Sequence, residues 1–407
     1  MVVDLTAGGH ELADGAVKAK LAVVGDLMLG AGVAQAMSEH GAGHTFRQVK
    51  GLLGEADIRF ANLEWPLTAT GRRHPVIRHR ARCVPMRAIE AVTDAGFTVV
   101  SVANNHIFDC IDEGLADTIR LLREHGIAWT GGGASLAAAR TPAIQESHGI
   151  RFGFQAYTFQ LHQIAGVDFP GCAPSDPKLM LEDVRRLKDQ VDHVIVSLHT
   201  GPDAGEEFFF YPTVRRQRTC RMLIDEGATA VFCHHCHVPQ GIEIYGGGLI
   251  AHGLGSFITD IHDWYFQSAQ PPFIDYIDRT MLLRLDLDST RLLSFSVHPT
   301  RVGEDLAVRP LEGDERVAFL RFLQDISALL YDPAALARQT PSRALSAKLA
   351  RLLRKARKNG IRSLAGELLR DTLGRLDGLF LEPGRVRALE QQLRSRASDF
   401  DERAGLR

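Results

Sequence analysis

Three histidines and two cysteines fall within five consecutive positions of the segment AVFCHHCHVPQG. His235 and His237 are separated by one residue, and two imidazoles so spaced on an extended segment can reach one metal ion. Cys233 and Cys236 form a Cys-x-x-Cys pair, but a structural zinc site needs four protein ligands and the sequence has no second pair of this kind. A thioredoxin-like role would place the pair at the start of a helix. We therefore interpret His235 and His237 as metal ligands, His234 as a packing residue or a residue that supports a ligand, and the cysteines as packing residues.

Metal-competent side chains also end four other runs that are rich in Val and Ile. They are Asp26 after LAVVG, Asn62 and Glu64 in IRFANLE, Asn105 and His106 after FTVVSVAN, and His199 after HVIVSL. Taken singly, a polar residue after a strand is usually a turn or helix-capping residue. Because the C-terminal ends of strands in an open α/β sheet line one edge, the five run ends together predict one crevice of carboxylate, amide and imidazole groups.

The elements that must position these residues alternate along the chain. From Leu21 to about Val238, short apolar runs alternate with helical patterns such as DEGLADTIRLLREHG and TVRRQRTCRMLIDEG, which predicts an α/β fold with helices on the faces of a sheet. The later segments GIEIYGGGLIAHG and TMLLRLDLDSTRLLSFSVHP are typical of hairpins. We therefore expect a mixed sheet or two stacked sheets.

Composition changes toward helix formers beyond about residue 311. We predict an N-terminal tail over 1–20, a catalytic domain over 21–311 and a helical, basic C-terminal extension over 312–407. Between Pro341 and Arg375 the sequence has ten Lys or Arg against two acidic residues, at helical spacing. This segment is either a helical lid with a solvated basic face or a docking surface for an acidic peptide or partner.

Bulk properties exclude several classes of protein. A net charge of -2 on 407 residues argues against a nucleic-acid binder driven by overall charge. No stretch approaches the roughly 20 apolar residues of a membrane helix, and the N-terminus lacks the pattern of a secretory signal. We therefore expect a cytoplasmic protein without a membrane partner, and six cysteines in the reduced state. Oligomeric state is not predicted.

Six segments resemble, in order and spacing, the CapA-like branch of the calcineurin-like metallophosphoesterases, a family named for poly-γ-glutamate capsule proteins. They are GDLMLG, ANLEWPLT, SVANNHIFD, SLHTG with GEE, HHCHVPQGIEIYGG and GLGSFITD, and they cover about residues 21–260. The resemblance implies a four-layer αββα sandwich, two β-sheets flanked by helices, with a metal site at the strand ends. It implies that the metal-binding set is Asp26, Asn62 or Glu64, Asn105, His199, His235 and His237. It makes His106, with Asp109 behind it, the acid/base group.

The chain departs from the family pattern at several positions. Met28 stands where most of the superfamily places a histidine, two residues after the first aspartate. Cys233 and Cys236 replace a glycine and a proline, Ser256 replaces the asparagine of SLGNF, and His252 stands just upstream. The sequence also lacks the membrane anchor of capsule CapA proteins, so we expect no capsule role at the cell surface.

The implied cofactor is one or two divalent metal ions, and we expect no organic cofactor. Three oxygen donors with three imidazoles suit manganese, iron or zinc, whereas a site built mainly from oxygens and water would suit calcium.

Three reactions fit such a crevice. Two metal ions could activate water for attack on a phosphate ester, with His106 protonating the leaving group, but the missing imidazole at Met28 disfavours this reaction. A metal-activated water could instead hydrolyse a γ-glutamyl or similar amide. The third reaction is epimerisation, in which one histidine removes the proton of a peptide α-carbon and a second returns one on the other face.

The CapA-like family includes cytoplasmic enzymes that invert the C-terminal residue of lasso-peptide precursors. We predict such a peptide epimerase, in which His106 with Asp109 and His237 with Asp26 are the catalytic residues. The basic C-terminal helices would hold the peptide substrate. The alternatives are a metal-dependent hydrolase of the CapA type, and a non-catalytic binding module that the metal stabilises.

Overall fold

The computed structural model of the chain describes residues 3–74, 82–159, 163–200, 210–262 and 273–339. Its strands are β1 (Gly9–Glu11), β2 (Ala19–Leu27), β3 (Ile58–Leu63), β4 (Val99–Ser101), β5 (Ala128–Thr130), β6 (Gly132–Gly133), β7 (Ala143–Ser147), β8 (Ile150–Thr158), β9 (Gly171–Cys172), β10 (His193–His199), β11 (Ala230–His234), β12 (Ile242–Tyr245), β13 (Gly248–Ala251), β14 (Ser256–Ile258), β15 (Arg279–Leu287), β16 (Leu292–Val302) and β17 (Val308–Pro310). Its helices are α1 (Ala31–His40), α2 (Lys50–Gly54), α3 (Ile89–Asp94), α4 (Ile111–Glu124), α5 (Leu136–Ala139), α6 (Pro177–Leu187), α7 (Val214–Glu226), α8 (Gly313–Ala328) and α9 (Pro333–Gln339).

The first sheet runs in the order β1-β16-β15-β2-β3-β4-β5, with β14 paired to β2 and β17 to β16. Strands β2 to β5 are parallel, and β15 and β16 form the predicted antiparallel hairpin. Strand β2 is buried along nearly its whole length, which explains why its sequence is a continuous apolar run. The register places Asp26 opposite Asn62 on one side and Ser256 on the other.

The second sheet runs in the order β12-β13-β11-β10-β8-β7, and its strands β8, β10, β11 and β13 are parallel. The predicted hairpin of β12 and β13 turns at Gly246 and Gly247, which both have the positive φ that glycine adopts without a steric penalty. The register of β10 and β11 places His199 beside His234.

The two sheets pack face to face between two layers of helices. Phe60 of β3 stacks on Phe154 of β8 with ring centroids 5.5 Å apart. Helices α6 and α7 share one buried cluster with β10 and β11 of the second sheet. Helices α3 and α4 bury their apolar faces in the core cluster that contains β2, β3 and β4. This arrangement confirms the predicted αββα sandwich.

Helix α4 shows how the sequence specifies these layers. Its buried residues Leu115, Thr118 and Leu122 recur at intervals of three and four, so they form one stripe along the helix. Arg120 and Glu124 form an ion pair on the exposed side. The helix therefore presents one apolar face to the core and one charged face to solvent.

Both terminal segments contribute to the packing. Val3 and Leu5 are buried, and β1 pairs with β16. Helix α8 buries Phe319 and Leu323 in the main core. These segments fall in the regions predicted as an N-terminal tail (1–20) and a C-terminal extension (312–407). The basic segment from residue 341 to residue 375 lies outside the described residues.

The prediction of six reduced cysteines is wrong, because Cys83 and Cys110 form a disulfide. The fold brings the start of α4 against the chain at Cys83, and a separation of 27 residues in the sequence gave no indication of that contact. The other cysteines, Cys172, Cys220, Cys233 and Cys236, are buried thiols. Within the described part of the chain, no helix has the length and apolar character needed to cross a membrane.

Candidate metal centre

The polar residues predicted at the C-terminal ends of the strands lie close together where the two sheets meet. Asp26, Asn62 and Glu64 come from the ends of β2 and β3. His199 comes from the end of β10, and residues 234–237, called the histidine segment below, come from the end of β11. Gly25 permits the close approach of β14 to β2, because a Cβ at this position would clash with the carbonyl oxygen of Gly255. The site is therefore built from two sheets rather than from one sheet edge.

Asp26 is the most connected carboxylate of the site. Its Oδ1 accepts a hydrogen bond from Asn62 Nδ2 at 2.8 Å and lies 3.1 Å from His234 Nδ1. Its Oδ2 accepts the backbone N–H of His235 at 3.4 Å. Of the two roles that the sequence left open for His234, packing or support of a ligand, the contact with Asp26 fits the second. The contact fixes the side chain of Asp26 toward the histidine segment.

Burial and neighbouring charges shift the pKa values of Asp26 and His199. Burial is the largest single effect on the Asp26 carboxyl and would raise its pKa, but the hydrogen bond with His234 and the charges of His234, His199 and His237 together hold the pKa below its usual value. Burial lowers the pKa of His199 well below its ordinary value, and the nearby His235 adds to this effect. An ionised carboxylate and a neutral imidazole are the forms that bind metal ions.

Two groups of side chains have ligand atoms within 4.8 Å of one another. One group is Glu64, His199 and His235, and the other is Asp26, Glu64 and His237. All of these residues are buried, and a buried set of carboxylates and imidazoles is costly unless its charges are compensated. Nitrogen and oxygen donors of this kind suit a divalent ion such as zinc, manganese or iron. The residues therefore fit a divalent metal, and Glu64 belongs to both groups.

Asparagines connect the ligand residues. The Oδ1 atom of Asn105 lies 2.7 Å from Nε2 of His199, so both candidate ligands face the same point. Asn62 contacts Asp26 through Nδ2, and its Oδ1 accepts a hydrogen bond from Asn104 at 3.4 Å. Asn104 also accepts the backbone N–H of His106 at 3.0 Å. The asparagines thus hold the loop after β4 against the end of β3.

His106 and Asp109 form a hydrogen-bonded pair at the opening of the site. Nδ1 of His106 lies 2.8 Å from Oδ2 of Asp109, which also accepts the backbone N–H of Arg82 at 2.8 Å. The Nε2 atom of His106 lies 4.0 Å from Oε1 of Glu64. The side chain of His106 is 24% exposed, whereas Asp109 behind it is buried. The edge of Trp65 faces the imidazole. This geometry is that of an acid/base pair next to a metal site.

His237 contacts Ser256, which in turn contacts Met28, and both of these residues are departures from the family pattern. Its Nδ1 lies 3.0 Å from the Ser256 hydroxyl, which donates to the sulfur of Met28 at 3.7 Å. Because that hydroxyl donates to Met28, it accepts from Nδ1 of His237, and the lone pair of the ring is on Nε2. Nδ1 also lies 3.8 Å from Oδ2 of Asp26.

His235 adopts an unusual backbone conformation. Its φ of 87° lies in the left-handed region, which costs about 1–2 kcal/mol for a residue with a Cβ. Its ring meets His199 edge-on with centroids 5.1 Å apart and faces Phe159 at 5.5 Å. The conformation aims the imidazole into the site.

The structure brings every predicted site residue into this one region. The sequence-based interpretation did not assign a role in the site to Asn104 or Ser256, which contact Asn62 and His237. The doubled asparagine of SVANNHIFD was a signal for Asn104. The position of Ser256 opposite Asp26 depends on the pairing of β14 with β2, which the sequence does not show.

Comparison with known proteins agrees with the resemblance seen in the sequence. The model of the family described as "Bacterial capsule synthesis protein PGA_cap" matches residues 20–261. The "Capsule biosynthesis protein CapA" of Bacillus anthracis is 29% identical over 251 residues, which are 60% of this chain and 60% of that protein. The "PGA biosynthesis protein CapA" of Bacillus subtilis (strain 168) is 28% identical over 244 residues, 58% of this chain and 62% of that protein.

A "Probable polyglutamine synthesis accessory protein" of Mycobacterium tuberculosis is 31% identical over 266 residues, 61% of this chain and 66% of that protein. The chain thus spans less than two thirds of the length of these curated relatives. Among solved structures, the 5'-nucleotidase precursor from Thermus thermophilus aligns with a TM-score of 0.39 and 13% identity, over 77% of this chain and 59% of that one. Since the family model matches more than half of the sequence, the chain belongs to the bacterial capsule synthesis protein (PGA_cap) family.

Proposed function

We propose that the chain is a metal-dependent enzyme that acts on a peptide-like substrate and epimerises it at an α-carbon. The observation that carries this proposal is that two histidines, each near a carboxylate, lie close to the shared ligand Glu64. His106 is hydrogen-bonded to Asp109 at 2.8 Å, whereas Nδ1 of His237 lies 3.8 Å from Oδ2 of Asp26. Epimerisation needs two acid/base groups, because one removes the proton and another returns it.

In this proposal Glu64, His199 and His235 hold a single metal ion. A divalent ion bound there would stabilise the negative charge that develops on the substrate carbonyl or carboxylate. The remaining ligand group, Asp26 with His237, is then available for proton transfer. The thioether of Met28 at the position of the usual imidazole is consistent with one metal ion rather than two.

The proton transfer is assigned to atoms of the chain. Nδ1–H of His106 donates to Asp109, so the lone pair on Nε2 can take the proton of the α-carbon. Asp109 stabilises the imidazolium that results. In this direction His237 must start as the imidazolium, with Nδ1–H donated to Ser256, and it returns its second proton to the α-carbon through Nε2. In the reverse direction the two histidines exchange roles, as an isomerisation requires.

Hydrolysis is the second candidate function, and a specific observation favours it. Glu64 belongs to both ligand groups, and a shared ligand is what two adjacent metal ions in a hydrolase need. His106 would then protonate the leaving group. The names of the relatives refer to capsule, PGA and polyglutamine synthesis, so a γ-glutamyl amide is the first hydrolytic substrate to test.

The test is incubation in deuterated water with three probes: a peptide with a free C-terminus, a γ-glutamyl peptide and a model phosphodiester. We expect deuterium at an α-carbon of the first probe without cleavage, and one metal ion per chain at the catalytic site. His106→Gln should abolish the exchange. His125→Gln is a matched control, since His125 lies at the end of α4 and contacts the carbonyl of Leu121.

Two other results would overturn the proposal. Peptide fragments or released phosphate, together with two metal ions at the catalytic site, would establish hydrolysis. Metal binding without turnover of any probe would favour the binding module. We further propose that the basic segment from residue 341 to residue 375, outside the described residues, holds the substrate, and that the enzyme works in the cytoplasm.

A further inference from the structure

A second cluster of metal-competent side chains lies behind the histidine segment. It consists of Cys220 on α7, Cys233 on β11 and His252 just after β13, whose ligand atoms all lie within 4.8 Å of one another. All three residues are completely buried. The cluster shares no residue with the two ligand groups of the candidate catalytic site.

His252 is oriented as a metal ligand. Its Nε2 lies 3.0 Å from Oε2 of Glu243, a buried carboxylate that also accepts hydrogen bonds from Gln217 at 3.2 Å and from Arg221 Nε at 2.7 Å. Because the carboxylate accepts, Nε2 carries the proton and Nδ1 carries the lone pair. Nδ1 is buried and points at Cys233, the thiol with which His252 shares a hydrogen bond. A carboxylate that fixes the outer nitrogen of a histidine is the usual support of an imidazole ligand.

The two thiols have the spacing of ligands to one ion. Sγ of Cys220 lies 3.6 Å from Sγ of Cys233. Two sulfur atoms bound to zinc at about 2.3 Å in a tetrahedral arrangement lie about 3.7 Å apart. Two thiolates also neutralise a divalent cation, so the buried cluster would have no net charge.

We propose that Cys220, Cys233 and His252 form a second metal site that takes a thiophilic divalent ion, namely zinc. These three protein ligands are one fewer than the four of an ordinary structural zinc site, so a small ligand such as water would have to take the fourth coordination position. The ion would tie α7 and the end of β13 to β11. Cys233 directly precedes the histidine segment of the catalytic site, so the ion stabilises the strand from which His235 and His237 project.

Cobalt substitution tests the site in the full-length chain. Thiolate ligands give cobalt(II) a charge-transfer band in the near ultraviolet, and neither catalytic ligand group contains a cysteine. The band therefore reports on the second site even when both sites are loaded. We expect the band in the wild-type chain, its loss in Cys220→Ala, and its displacement by added Zn²⁺. Cys172→Ala is the matched control and should leave the band unchanged, since Cys172 is a buried thiol on β9, outside the cluster.

A measurement on the wild-type zinc-loaded chain keeps the test decisive if Cys220→Ala does not fold. X-ray absorption at the zinc edge should show sulfur neighbours at about 2.3 Å. Absence of both the cobalt band and the zinc–sulfur signal would overturn the proposal. So would a Cys220–Cys233 disulfide in peptides of the unreduced protein, or equal loss of the band in Cys172→Ala.

Discussion

Asp109 determines which nitrogen of His106 faces the crevice. Its Oδ2 accepts from Nδ1 of His106 and from the backbone N–H of Arg82, so the carboxylate is held in place from two directions. The same carboxylate would stabilise the charge that His106 acquires when it takes a proton. The reactivity of the partly exposed imidazole therefore depends on a residue that substrate does not touch.

We predict that Asp109→Asn lowers kcat at least about a hundredfold in whichever reaction the enzyme catalyses. An amide that donates to Nδ1 of His106 selects the tautomer with the proton on Nε2, and the ring then cannot act as a base. Metal content should stay unchanged, which elemental analysis would show. Asp112→Asn, an exposed change in the first turn of α4, is the control. Unchanged turnover, or loss of metal, would contradict the assigned role.

At the scale of residues, the sequence predicted the candidate metal ligands, but not the residues that hydrogen-bond to them. Asp26, His199 and His235 were predicted because each stands at the end of an apolar run. The contacts of His237 with Ser256 and of His234 with Asp26 were not predicted. In each contact the two residues come from different sheets. The contacts therefore depend on how the two sheets pack against each other.

At the scale of elements, β10 begins with a buried histidine. The ring of His193 contacts the hydroxyl of Thr229 at 3.1 Å and the carbonyl of Asp288 at 2.7 Å. Burial lowers the pKa of His193 below its ordinary value of 6.5. The folded state therefore binds the proton less readily than the unfolded state does.

This difference gives the protein a specific dependence on pH. Stability from His193 is fully present above pH 6.5, the pKa in the unfolded state, and is lost as the pH falls through the lower pKa of the folded state. We predict that the free energy of unfolding, measured in urea, falls less steeply below pH 6.5 in His193→Gln than in the wild type. His40→Gln, an exposed histidine at the end of α1, is the control. Equal slopes for His193→Gln and wild type would refute the prediction.

The order of strands and helices was predictable, but their pairing was only partly so. The buried parallel strands and the two hairpins follow from apolar runs and glycine-rich or polar turns. The pairing of β14 with β2 and the disulfide of Cys83 with Cys110 join distant segments, and no local pattern encodes such contacts. The short strands β6 and β9 have two residues each, which is too few for a periodic signal.

At the scale of the whole molecule, α8 is part of the sandwich core. Leu323 and Phe319 are buried among the residues of the first sheet, and Ser327 accepts the backbone N–H of Ile242 at 2.9 Å. In the turn that follows the helix, the carbonyl of Leu330 accepts from Gln217 of α7 at 2.8 Å. The helix thus contacts elements of both sheets.

We predict that Leu323→Ala lowers the free energy of unfolding by about 2–5 kcal/mol, since it leaves a cavity in the shared core. Unfolding by denaturant should remain a single transition when it is followed by tryptophan fluorescence and by circular dichroism. Val317→Ala on the exposed side of α8 is the control. Two separate transitions would indicate that α8 belongs to an independent unit.

At His235 the left-handed backbone favours glycine for stability, whereas the site needs an imidazole at this position. In the metal-free protein His235→Gly should unfold with a free energy about 1 kcal/mol higher than His235→Ala, because only glycine avoids the steric penalty. Elsewhere in a strand or helix the order of these two variants is reversed, and a reversed order here would show that the backbone is relaxed. Both variants lose the imidazole. A screen for thermal stability and a screen for turnover would therefore select opposite residues at this position.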